Sequence, residues 1–133
     1  MADFIRVKEM VMEAGLVPEN IDQEEELFIV TSADRGFHNL VVDCEEEIIV
    51  LEMPIMPVTP ATDYRKLLEM NNALVHGAFA VATDSHGGEH VVWRDTLQLA
   101  HLDPNELHGS LNALELALAE HFQALETMTS CRR

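Results

Sequence analysis

Residues 27–53 read LFIVTSADRGFHNLVVDCEEEIIVLEM, three apolar runs separated by two polar turns. The runs Leu27 to Thr31, Phe37 to Val42 and Ile48 to Met53 are strand-length and rich in β-branched and aromatic residues. Ser32-Ala33-Asp34-Arg35-Gly36 and the acidic Cys44-Glu45-Glu46-Glu47 supply the turns between them. An antiparallel three-stranded meander follows. Because the apolar runs are nearly unbroken, at least one of these strands is expected to be buried on both faces.

Upstream, Asp3 can cap a helix whose Phe4, Val7, Met10, Val11 and Ala14 recur at helical spacing, with Gly15 as its stop and Pro18 beyond. Asp22 to Glu26 reads as an acidic turn. Downstream, Pro54 to Pro60 is apolar yet proline-rich, which predicts an ordered connector outside sheet and helix. Thr59 with Pro60 then starts a second helix running through Tyr64, Leu67, Leu68 and Asn71. A second hairpin pairs Gly77 to Ala82 with His90 to Leu97 across the turn Thr83 to Glu89. Asp103, Pro104 and Glu106 form a capping-box start for a last helix with a stripe of Leu107, Leu111, Leu114, Leu118, Phe122 and Leu125. The order αβββαββα predicts an α+β two-layer sandwich of an antiparallel sheet with helices. With no repeat or linker, residues 1–133 read as a single domain.

The chain carries 24 Asp and Glu against 8 Lys and Arg, a net charge of −16. Nucleic acid and anionic lipid bind through Lys and Arg, so neither is an expected partner. The acidity reads either as a device for solubility or as a field that steers basic partner segments or keeps a sticky surface from self-associating. Cys44 and Cys131 are distant in sequence, and Cys131 falls in an expected frayed end, so no disulfide framework is predicted. The start of the chain lacks a basic, apolar leader and no stretch approaches the ~18 apolar residues of a membrane helix. These features predict a cytoplasmic protein.

Chemical motifs are sparse. His86-Gly87-Gly88-Glu89-His90 matches the H-x-x-E-H pattern of one zinc peptidase class, where both histidines must sit one helical turn apart. Two glycines and flanking strands argue for a hairpin turn instead. His38, His76, His101, His108 and His121 have no shared ligand spacing. Cys44 precedes three glutamates, which disfavour a thiolate. No phosphate-binding or nucleophile-elbow motif occurs. The reading is a non-enzyme with no cofactor and no metal. Surplus apolar side chains are the stronger signal. Met10, Met12, Met53, Met56 and Met70 join Ile55, Val58 and Tyr64, and the Pro54 to Pro60 segment is expected to contact a partner or a second subunit.

The element order, the size, the low pI, the Leu67-Leu68-Glu69-Met70-Asn71 segment and the Gly77-Ala78-Phe79-Ala80-Val81 strand together resemble the class I type III secretion chaperones. That Tir-chaperone-like superfamily also includes YbjN-like proteins. The resemblance implies a cytoplasmic homodimer that holds an extended segment of a secreted client or effector protein, by strand addition and apolar pockets, without ATP. It implies partner binding by Phe4, Val7, Val11, Leu27 and Ile29, and a dimer interface of Tyr64, Leu67, Leu68, Asn71 and Trp93. The superfamily also implies an alternative, a YbjN-like regulatory adaptor in signalling with no secretion role.

Overall fold

The computed structural model describes residues 2–130; Cys131, and with it the expectation for that cysteine, lies outside them. Helix α1 (Ala2–Glu13) leads into strands β1 (Glu19–Asp22), β2 (Leu27–Ser32), β3 (Phe37–Cys44) and β4 (Ile48–Pro57). Helix α2 (Tyr64–Asn71), strands β5 (Ala78–Thr83) and β6 (Glu89–Gln98), and helix α3 (Pro104–Ser130) complete the chain. The six strands form one antiparallel sheet in the order β1-β2-β3-β4-β6-β5. The predicted meander is its centre, and the predicted second hairpin completes it beside β4.

Strand alternation sorts the sheet into two faces. Phe28, Val30, Leu40, Val42, Ile49, Leu51, Met53, Trp93 and Phe79 point to one side and join Phe4, Val7, Leu107, Leu111 and Leu114 in one core. Helices α1, α2 and α3 all contribute to that core, so they cover the same face. Polar ties between helices and sheet include Ser110 Oγ donating to Asp95 Oδ2 at 2.7 Å, Thr129 donating to Met56 Sδ at 3.1 Å and the Asn71 amide pairing with the Phe79 backbone, while Arg6 donates to the Leu102 carbonyl in the connection before α3.

Four local expectations are corrected. The acidic stretch before β2 is preceded by a strand, β1, exposed at every residue; with no apolar alternation to mark it, only edge pairing with β2 makes it a strand. The Pro54 to Pro60 segment is not wholly a connector, because β4 runs on through Pro57 and pairs with β6 to the register Pro57↔His90. Asn71 binds the Phe79 N–H and carbonyl, so these point away from β6; following the alternation across Phe79↔Trp93↔Met53 turns the nitrogens of Pro54 and Pro57 away from β6 as well. The ladder therefore loses no donor. Helix α2 starts at Tyr64, where Asp63 accepts from the Lys66 N–H at 3.0 Å, while Thr59 to Thr62 forms a preceding turn. In α3, Phe122 is 58% exposed; the buried stripe passes instead through Ser110, Ala117 and Met128. At about 100° per residue Phe122 falls on the margin of that stripe.

Other signals formed as read. Gly15 ends α1 with φ 83° and the Leu16 N–H closing on the Val11 carbonyl. The α3 capping box is complete, with Asn105 N–H to Asp103 Oδ1 at 2.8 Å and Asp103 N–H to Glu106 Oε1 at 3.1 Å.

Candidate functional site

Among the described residues, no helix covers the second face of the sheet. Ile29, Val41, Pro54 and Val92 line a groove of about 440 Å³ on it, with Glu52, Asp84 and His90 at its rim. Five strands, β2, β3, β4, β6 and β5, contribute to this one concavity. Val92 is 3% exposed and Val50 8%, yet neither belongs to the main core. Small side chains, Ala78, Ala80 and Ala82, stand on this face of the edge strand β5 and leave the groove open on that side.

One ion pair and one histidine–carboxylate hydrogen bond sit on the rim. Arg94 Nη1 meets Glu52 Oε1 at 2.9 Å across the β4–β6 register, with both side chains partly exposed. His90 Nε2 meets Asp84 Oδ2 at 2.9 Å. Asp84 also accepts the His86 and Gly88 N–H groups, each at 2.9 Å, which closes the hairpin turn. The hydrogen bond from His90, then those from Gly88 and His86, hold the Asp84 carboxyl below the usual carboxylate range. Asp43 lies on the same face with Oδ1 buried and unpartnered. Burial first, then the charges of Glu45 and Glu25, push its pKa up, and Arg94 offsets them only in part.

The H-x-x-E-H residues are divided between this turn and β6: His86 is in the turn, and Glu89 and His90 open the strand. A hairpin turn with Gly87 at φ 85° separates the histidines, so they lack the one-turn helical spacing that zinc peptidase chemistry requires. Among the described residues no group of three or more His, Cys, Asp or Glu side chains is placed to hold a metal ion. Cys44 is buried, and burial followed by Glu26 and Asp43 pushes its thiol up to about 12, far from a reactive thiolate.

The residues singled out from the sequence fall in different environments. Phe4, Val7 and Val11 are at most 1% exposed and pack in the core beneath the sheet, so the surface of α1 is carried by Ile5 and Met12 instead. Leu27 and Ile29 are half-buried on the bare face, Ile29 within the groove. Leu67 is buried, whereas Tyr64 and Leu68 are 50% and 69% exposed on α2. Trp93 is fully buried, its ring packed under Gly77. Asn71 donates to the Phe79 carbonyl at 3.1 Å and accepts from the Phe79 N–H at 2.7 Å, so its amide occupies the place of a neighbouring strand along the β5 edge. Val41, Val92 and the rim carboxylates were not anticipated, whereas Pro54 opens the segment expected to contact a partner or a second subunit. Their sequence signal is the doubling of apolar residues in Val41-Val42, Val50-Leu51 and Val91-Val92, which makes both faces of the central strands apolar.

An antiparallel sheet with helices on one face, and a bare, concave, apolar-floored second face, defines a small α+β protein that presents a surface groove. The chain belongs to the CesT_Tir_1 family, a type III chaperone family, whose family model matches residues 1–131. Comparison with curated proteins finds no match. Among solved structures, YbjN from E. coli is similar with a TM-score of 0.67 at 10% identity over 90% of each chain. The HopA1-SchA chaperone-effector complex contains a chain with a TM-score of 0.60 at 16% identity, covering 90% of this chain and 94% of that one. A protein from Methanothermobacter thermautotrophicus has a TM-score of 0.55 at 14% identity, covering 93% and 96%. At these identities the likeness establishes a common fold.

Proposed function

We propose that this protein is a non-catalytic, chaperone-like binder that works as a cytoplasmic homodimer and holds an extended segment of a client or effector protein without ATP. The observation that carries the reading is the bare concave sheet face, whose apolar floor is formed by Ile29, Val41, Pro54 and Val92. Exposed apolar surface of this kind marks an interaction site in a soluble domain. Membership of a type III chaperone family and the fold it shares with a chain of a chaperone-effector complex support the same reading. For the second subunit, the exposed Tyr64 and Leu68 on α2 and Val81 on the adjoining β5 offer an apolar surface separate from the groove.

The test is quantitative capture of partners from native lysate by the full chain and by two charge-matched variants. Ile29→Arg introduces a charge into the groove, and Leu116→Arg introduces the same charge on the exposed side of α3. Loss of a stoichiometric protein partner in the first variant and its retention in the second is the expected outcome. Equal capture by both variants would sink the groove as the binding face.

A further inference from the structure

Strand β6 places His90, Val92 and Arg94 on the bare face at alternate positions, so the three side chains form one line along the groove. Val92 is the centre of that line. Ala80 and Pro54 flank it in register on the two neighbouring strands, giving a purely apolar row. At one end the Asp84 carboxylate sits on His90, and at the other the Glu52 carboxylate sits on Arg94, each pair at 2.9 Å. His90 and Arg94 are four residues apart, which is about 13 Å in a strand. The groove is thus an apolar seat with a carboxylate beside each end of a line that matches the i to i+4 span of an extended chain, Glu52 on the β4 side and Asp84 in the turn after β5.

We infer that the groove selects an extended protein segment in which an apolar side chain is flanked, two residues away on each side, by Lys or Arg. This inference rests on the reading of the bare face as the client-binding surface. The apolar side chain packs over the Ala80-Val92-Pro54 row, and the two cations reach Glu52 and Asp84. Glu52 accepts from Arg94, and Asp84 is paired with His90 and the His86 and Gly88 N–H groups; a carboxylate offers about four acceptor positions, so each can still take one further cation. Charge complementarity points the same way. The Arg94 end also carries Asp43, which is short of cationic partners, and a molecule of net charge −16 draws basic segments towards it. An acidic segment meets like charge at both ends.

The test is fluorescence anisotropy with the full chain and a labelled peptide, Gly-Ser-Arg-Thr-Leu-Thr-Arg-Ser-Gly. Its two arginines are replaced by serine in one comparison peptide and by glutamate in another. At about 20 mM salt the arginine peptide is expected to bind about fivefold to tenfold tighter than the serine peptide and the glutamate peptide weakest, a preference that fades at about 500 mM salt. In an E52Q/D84N protein the arginine and serine peptides should bind alike; D84N retains the side-chain oxygen that accepts from His86 and Gly88, so the turn is kept. A preference that survives in E52Q/D84N would overturn the inference, because it would come from the overall charge. Arginine and serine peptides that bind equally to the unmodified chain, and are both lost in I29R, would overturn the pattern while the groove reading stands. Binding insensitive to I29R would overturn both.

Discussion

Gly77 lies directly against the Trp93 ring. A Cβ at Gly77 would lie 2.6 Å from the Trp93 ring, and its φ of 74° is a conformation that L residues adopt at a cost. The ring is fully buried between Met53 and Phe79 and has nowhere to retreat. Gly77→Ala should therefore lower unfolding free energy by about 2–4 kcal/mol in urea denaturation. Asp43 has the opposite sign. Its folded pKa is raised, so at neutral pH the folded state holds the charge less favourably than the unfolded chain does, and that penalty disappears as pH falls below the ordinary value of 3.8. Asp43→Asn should raise stability at pH 7, by about 0.5 kcal/mol after solvent screening, with the gain gone below about pH 4. Thermal melts of both proteins at the two pH values give the comparison directly. Cys44, with its thiol pushed up to about 12, should resist alkylation in the native chain at pH 8 and react on unfolding.

At the scale of elements, the β5 edge is the exposed flank of the sheet beside the groove, and Asn71 closes part of it. Its amide satisfies both the N–H and the carbonyl of Phe79, which an incoming strand would otherwise pair with. Asn71→Ala should cost about 1–3 kcal/mol and speed aggregation on heating. Asn71→Asp keeps the acceptor for the Phe79 N–H and loses the donor, so its stability should fall between the two, measured in the same melts. The Leu67-Leu68-Glu69-Met70-Asn71 segment thus holds three separate duties: Leu67 and Met70 fill the core, Asn71 caps an edge, and Leu68 is left outside. Prolines act at the other end of the groove. Pro54 and Pro57 extend β4 without losing a ladder bond, because their nitrogens face away from β6.

For the whole molecule, the division of surfaces matters most. One sheet face builds the core with the three helices, the other is a groove, and α2 with β5 presents a separate apolar flank. If that flank joins two subunits, Leu68→Asp should convert the protein to monomer in size-exclusion light scattering. Leu68 is 69% exposed, so the change should leave single-chain stability within about 0.5 kcal/mol. The net charge of −16 keeps a protein with two apolar surfaces dispersed; near the sequence pI of 4.5 the free protein should precipitate, and a bound basic client should shift that point.

Much of the fold was legible in the residues themselves, because strand and helix periods and caps are local. The apolar runs from Leu27 to Met53, Gly15 as a stop and the Asp103-Glu106 box carry that information within a few residues. The doubled valines announced strands apolar on both faces. What tertiary structure alone decided was allocation. Phe4, Val7, Val11 and Trp93, which the family resemblance assigns to partner or subunit contact, lie in the core of the single chain, because three helices share one sheet face and an apolar side chain gains most where it is fully enclosed. Val41 and Pro54, on the consecutive strands β3 and β4, met Val92 of the distant β6 on the opposite face, with Glu52 and Asp84 at its ends. Strand order and sheet curvature bring those residues together, and no local pattern encodes either.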